Sequence, residues 1–166
     1  MNGIGNANSI NFTATMDVSE VRNNKERWEN VAKIFEQKTQ KYEDTFTLSA
    51  LDDGEGLLLY AQTSPEKERG DEHCAEIFNN KLNQMFNNMS DEAIAKKFVK
   101  MLKVFRHYDT KVHKGDKFVK SFMKGDKYND QTHFKEKFYD ILIDKTAEDM
   151  KNDINSDPVL KEFKVY

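Results

Sequence analysis

The sequence predicts an α+β fold: a small antiparallel sheet in a β-α-β-β N-terminal unit, followed by a mostly helical C-terminal region. Three observations carry this. Period-two alternation of apolar residues appears only in the first third, at Ile10, Phe12, Ala14 and Met16 and again from Thr45 to Leu51. Apolar stripes at helical spacing dominate the rest. Only two prolines and seven glycines occur in 166 residues, and four of those glycines lie before residue 57, so few helix breakers remain.

Residues 1–8 are rich in Gly and Asn and read as a flexible tail. The remainder, 9–166, reads as a single domain, with subdomains 9–63 and 64–166 as the alternative division. Asp17 and Glu20 have capping-box spacing, so the first strand should hand over to a helix near Val18. That helix runs to Tyr42, with Val21, Trp28, Val31, Phe35 and Tyr42 on or near one stripe. Thr45–Leu51 and Leu57–Ala61 follow as two strands. The intervening Asp52-Asp53-Gly54-Glu55-Gly56 has the composition of a hairpin loop.

Ser64-Pro65 pairs a hydroxyl cap with proline at a first helical position, which predicts a helix entry. Cys74, Phe78, Leu82, Met85 and Met89 then step at helical intervals. Ser90 predicts the next cap, with Asp91 and Glu92 in a first turn where the helix dipole favours acids. Ile94, Phe98, Met101, Leu102, Phe105 and Tyr108 form the clearest amphipathic stripe in the chain. A short helix near Phe118–Met123 and a long one over Gln131–Lys151 follow. The latter buries Phe134, Phe138, Ile141, Leu142 and Met150. Asp157-Pro158 opens a last short element ending in Phe163 and Tyr166. Lys114-Gly115-Asp116-Lys117 recurs as Lys124-Gly125-Asp126-Lys127, and a tight turn or helix end is the expected use of each glycine.

Charge is distributed unevenly. The formal net charge is −3, yet eleven of the 26 Lys and Arg residues fall between Lys96 and Lys127, against three acids. That window carries +8 inside two acidic flanks. Local charge decides which anions a surface attracts, so this block is the candidate anion-binding region. Its residues are Lys96, Lys100, Lys103, Arg106, Lys114, Lys117, Lys124 and Lys127, accompanied by Lys97, Lys111 and Lys120. Lysines meet phosphate as flexible point charges; with one Arg among eleven, bidentate recognition is not the design.

No catalytic set emerges. The chain has no phosphate-loop pattern, no Gly-x-Ser-x-Gly elbow and no dinucleotide fingerprint. His73, His107, His113 and His133 show no i, i+4 pairing, and the Asp-rich loop lacks the calcium-hand pattern, so neither metal nor cofactor is expected. Cys74, the lone cysteine, cannot form an intrachain disulfide and reads as a buried, inert thiol that fits a reducing compartment. No secretory leader and no 18-residue apolar run are present, so a cytoplasmic protein without a membrane partner is expected. The function these features favour is a small non-catalytic macromolecule-binding or adaptor protein, engaging an anionic partner through 96–127. The alternatives are a nucleic-acid-binding protein, or an enzyme whose site gathers His107, His113 or His133 with distant carboxylates.

Overall fold

The computed structural model describes residues 14–40, 43–63, 71–123 and 131–166; residues 120–123 and 131–135 are described by backbone alone. Strand β1 (Thr15–Glu20) leads into α1 (Lys25–Lys38), then β2 (Thr45–Ala50), β3 (Gly56–Thr63) and β4 (Asp71–Phe78). Helices α2 (Asn79–Asn88), α3 (Asp91–Met123) and α4 (Gln131–Asn155) follow. A 3-10 turn (Leu160–Glu162) and a two-residue strand β5 (Lys164–Val165) close the chain.

The sheet has the spatial order β1-β2-β3-β4-β5. The fold is α+β, as the sequence predicts, with two differences in the sheet. The β1–β2 pair is parallel because α1 carries the chain back across the sheet between them. The other pairs are antiparallel, and two strands join that the sequence reading did not contain. Asp71–Phe78 forms β4 rather than the start of a helix. The 4, 4, 3, 4 stepping from Cys74 to Met89 straddles two elements. The winning pattern is His73, Ala75 and Ile77, which point inward opposite Ala61, Leu59 and Leu57 on β3.

β1 runs on past the predicted end at Met16 to Glu20, and Ile10, Phe12 and Tyr42 lie outside the described residues. Asp17 does not cap a helix. Its carboxylate accepts the Ser19 N–H at 2.9 Å, in a stretch where the β1–β2 register shifts. The helix instead starts after Asn24, whose φ of 59° is a left-handed value that Asn tolerates. The 52–56 segment is the hairpin loop expected of it: Gly54 has φ 74°, and the Gly54 N–H donates to Leu51 O at 2.8 Å.

One apolar cluster runs from Ala14 to Phe163 and is shared by the inner sheet face and the helices. Trp28 is fully buried, with Phe86 edge-on at 4.9 Å and Phe98 tilted at 5.8 Å. Phe46, projecting from β2, meets Phe35 of α1 and both Phe98 and Phe105 of α3. Each aromatic side chain that leaves water this way contributes on the order of 2 kcal/mol before entropy is counted. The predicted α3 stripe is the buried one, from Ile94 to Tyr108.

Two expectations for the helical region are corrected. The turn or helix end expected at Gly115 does not form, and Phe118–Met123 is not a separate short helix: α3 is continuous for 33 residues through Gly115. A Cβ on Gly115 would lie 2.3 Å from Leu142 Cδ2, so the glycine admits close approach of α4 rather than ending a helix. Ile141 is not buried but 70% exposed, and Phe138 and Leu142 are half-buried; Met150 is buried as expected, joined by Ile154. Ser64-Pro65, the second Lys-Gly-Asp-Lys segment and the side chain of Phe134 lie outside the described residues. Among the described residues no helix is long and apolar enough to cross a membrane.

Candidate anion-binding face

Of the eleven bases, eight have described side chains; Lys120, Lys124 and Lys127 do not. All eight stand on α3, and the helix sorts them by angle. At 3.6 residues per turn, Lys96, Lys100, Lys103, His107, Lys111 and Lys114 fall within an arc of roughly 80°. Every one of these six side chains is exposed. The arc lies opposite the buried stripe of Phe98, Leu102, Phe105 and Asp109. It runs for 18 residues, or about 27 Å of helix. Lys117, also exposed, flanks it.

Lys97 and Arg106 on the shoulders of this arc, and Lys100 within it, are held by acids. Asp44, 1% exposed, accepts from Arg106 Nη1 at 2.7 and 2.6 Å. Asp157, 2% exposed, accepts from Lys97 Nζ at 2.9 Å and Lys100 Nζ at 2.8 Å. Its other oxygen accepts the N–H groups of Val159 and Leu160, so the same carboxylate caps the 3-10 turn. Burial alone would raise the Asp157 pKa. The lysines and the two backbone donors outweigh it and hold the carboxyl far below the usual carboxylate range. Lys97, Lys100 and Arg106 therefore have structural partners, which narrows the part of the block able to meet an outside anion.

What remains open is Lys103 and Lys114, with no ion pair among the described residues, and Lys111, which lies over the Tyr108 ring at 4.8 Å. Lys96 has only an exposed i, i+4 contact with Glu92 at 3.7 Å, worth a few tenths of a kcal/mol. Lys103, Arg106, His107 and Thr110 line a shallow hollow of about 240 Å³ midway along the arc. Thr110 turns its hydroxyl to Arg106 O at 2.8 Å. A hollow edged by a lysine, an arginine and an imidazole suits an anionic group the size of a phosphate or carboxylate.

Beneath the same helix lies a polar network that sequence reasoning missed. Asp109 is buried and accepts from the Thr63 hydroxyl, while His73 Nε2 sits 2.8 Å from its Oδ1. The His73 ring stacks on Phe105 at 4.4 Å. One helical turn on, His113 Nε2 meets Asp71 Oδ2 at 2.7 Å. These pairs fasten β3 and β4 to α3. The i, i+4 spacing of Asp109 and His113 is visible in the sequence, but their partners are not, because helical stepping from Cys74 hides the strand that carries Asp71 and His73.

The residues considered for catalysis do not meet. His107 is exposed on the arc, His113 is tied to Asp71 below it, and the His133 side chain lies outside the described residues. Cys74 is half-buried on the outer sheet face, opposite Tyr60, and not in a helical core stripe. Its neighbour His73 points to the inner face, since successive strand residues alternate. Among the described residues no group of three or more His, Cys, Asp or Glu side chains is placed to hold a metal ion.

The fold and this face together define an α+β protein with one long, lysine-studded helix on its surface. Comparison with protein-family models, with curated proteins and with solved structures finds no match for this chain.

Proposed function

We propose that this protein is a small non-catalytic binding or adaptor protein that engages an anionic macromolecular partner through the outer arc of α3. The observation that carries the reading is the alignment of Lys96, Lys103, His107, Lys111 and Lys114 on one exposed helix face, where Lys100 also stands but is tied to Asp157. Cations spread at intervals of three and four residues suit an extended anion better than a compact one, because each charge lies 4.5–6 Å further along the axis. Lysine-based contact gives affinity without sequence reading, and it weakens with salt. The cytoplasm is the compartment proposed, on the strength of a single cysteine.

The test is a mobility-shift titration of the full chain with a single-stranded oligonucleotide, a duplex and an acidic peptide, at low and high salt. The expected result is binding to at least one of the three at low salt. For the duplex, four lysine contacts would give a log-log salt slope of about −4. The triple variant Lys103→Glu/Lys111→Glu/Lys114→Glu should abolish it. These three are chosen because they hold no buried acid, whereas Lys100 and Arg106 do. Absence of any complex at low salt, or undiminished binding by the triple variant, would overturn the reading.

A further inference from the structure

The outward face of α4 carries the opposite pattern. Glu136, Asp140, Asp144 and Glu148 repeat every four residues, and all four are exposed; Lys137 and Lys151, also exposed, share this face and leave it net acidic. None has an ion pair among the described residues; the pair on this helix is Lys145 with Asp149 at 3.3 Å, on another side. The row spans twelve residues, about 18 Å. On α3, Lys103, His107, Lys111 and Lys114 span eleven residues, about 16 Å. The two rows thus match in length and nearly in step, with opposite sign. They cannot meet within one molecule. α4 faces α3 through Tyr139 to Asp116, Leu142 to Gly115 and Asp153 to Tyr108, which turns the acidic row away from α3. Two exposed isoleucines border the acidic row, Ile143 at 50% and Ile141 at 70%. Phe118, 57% exposed although its ring also meets Phe138 of α4 at 5.9 Å, sits one turn beyond Lys114 at the end of the basic row.

We infer that this protein associates with a second copy of itself, the acidic row of α4 in one copy lying against the basic arc of α3 in the next. It rests on the preceding reading in that the α3 arc is the face that receives the anion. Because the two faces differ, the contact is heterologous: a pair keeps one unused α3 arc, on one copy, and one unused α4 row, on the other, so association continues into longer chains or a ring. The apolar residues at the margins add contact that salt does not screen, whereas the charge rows set register and direction. One helix face on each side makes a small interface, so the association is weak and strengthens with concentration.

Sedimentation velocity of the full chain over a hundredfold range of concentration tests this, at roughly 30 mM and 500 mM salt to span weak and strong screening. The expected result is a sedimentation coefficient that climbs with concentration at low salt and stays at the monomer value at high salt. Two charge reversals then separate the faces. Asp140→Lys/Asp144→Lys and Lys111→Glu/Lys114→Glu should each be monomeric alone, with unchanged circular dichroism. Mixed together they should associate, because the basic arc of the first complements the acidic row of the second, and its reversed row complements the reversed arc. A monomeric parent at low salt, association undiminished in either variant alone, or a mixture that stays monomeric would each overturn the inference. The α4 variant retains the α3 arc and should still bind the anionic probes above. Loss of probe binding with association intact overturns only the proposed function; the reverse outcome overturns only this one.

Discussion

Asp157 shows how much one side chain can be asked to hold. Its two oxygens serve two lysines of α3 and two backbone donors of the 3-10 turn. Replacing it with Asn removes the charge and leaves poorly matched donors. The expected cost is about 2 kcal/mol, measured by urea denaturation at neutral pH. The same variant should lose much of the acid sensitivity described below. Asp109 makes a second case. Asp109→Ala strands the Thr63 hydroxyl and one His73 nitrogen in a dry layer, at an expected cost of about 3 kcal/mol. Pairing it with Thr63→Val should recover part of that loss, since one orphaned group is then gone; a double-mutant cycle with no coupling would contradict the geometry. Neither residue stood out in the sequence. Asp157 was visible as the start of a last element, but its lysine partners lie some sixty positions earlier.

At the scale of the element, α3 is the part of the chain most fully legible and also the part most misjudged. Its N-terminus was readable: the Ser90 hydroxyl accepts the Ala93 N–H at 3.1 Å, as a cap should. Ser90→Ala should cost about 1 kcal/mol in thermal or chemical denaturation. Its apolar stripe was readable as far as Tyr108. Its length was not, because Gly115 argues locally for a break at about 1 kcal/mol and the compensation comes from α4, a distant segment. Tyr108 and Tyr139 are the signs of that pairing. The hydrogen bond to Asp153, with burial added, pushes the Tyr108 phenol up to about 12, and burial with the bond to Asp116 does the same for Tyr139. A phenol whose folded pKa exceeds its unfolded value near 10 stabilises fully below pH 10. It ceases to do so as the pH climbs towards 12. Hydrogen bonds to Glu72 and Glu76 raise Tyr60 and Tyr166 as well, so ultraviolet titration should show a late-ionising group of tyrosines that includes Tyr108 and Tyr139, and the Tyr108→Phe variant should show one fewer. The reading of β4 failed for a related reason: eight residues with a cysteine and a phenylalanine at i, i+4 fit a helix on paper, and only β3 beside them decides otherwise.

For the molecule as a whole, the acidic envelope and the basic helix are interlocked. Asp44, Asp91 and Asp157 reach across the fold to Arg106, Arg27, Lys97 and Lys100. Asp91 is held below the usual carboxylate range. Burial opposes this, and hydrogen bonds from Asn30 and Arg27 overcome it. Both Asp91 and Asp157 have folded pKa values below their unfolded ones. Their contribution is present in full above pH 4 and drains away as the pH falls below it. Stability should accordingly be flat between pH 5 and 8 and drop by roughly 2 kcal/mol by pH 3, followed by urea midpoints at each pH. Unchanged midpoints at pH 3 would mean that these carboxylates are not the acid-labile ties.

The sequence by itself determined the fold class, the hairpin, the buried stripes of α1 and α3 and the concentration of cations in one span, because each depends on the spacing of residues within a single segment. Only the tertiary structure decided which cations stay available, since neutralisation depends on acids that folding brings from far away in the chain. Residues 97, 100 and 106 looked like their neighbours at 96, 103 and 111; a turn of the helix, and the carboxylate standing beside it, is what separates them.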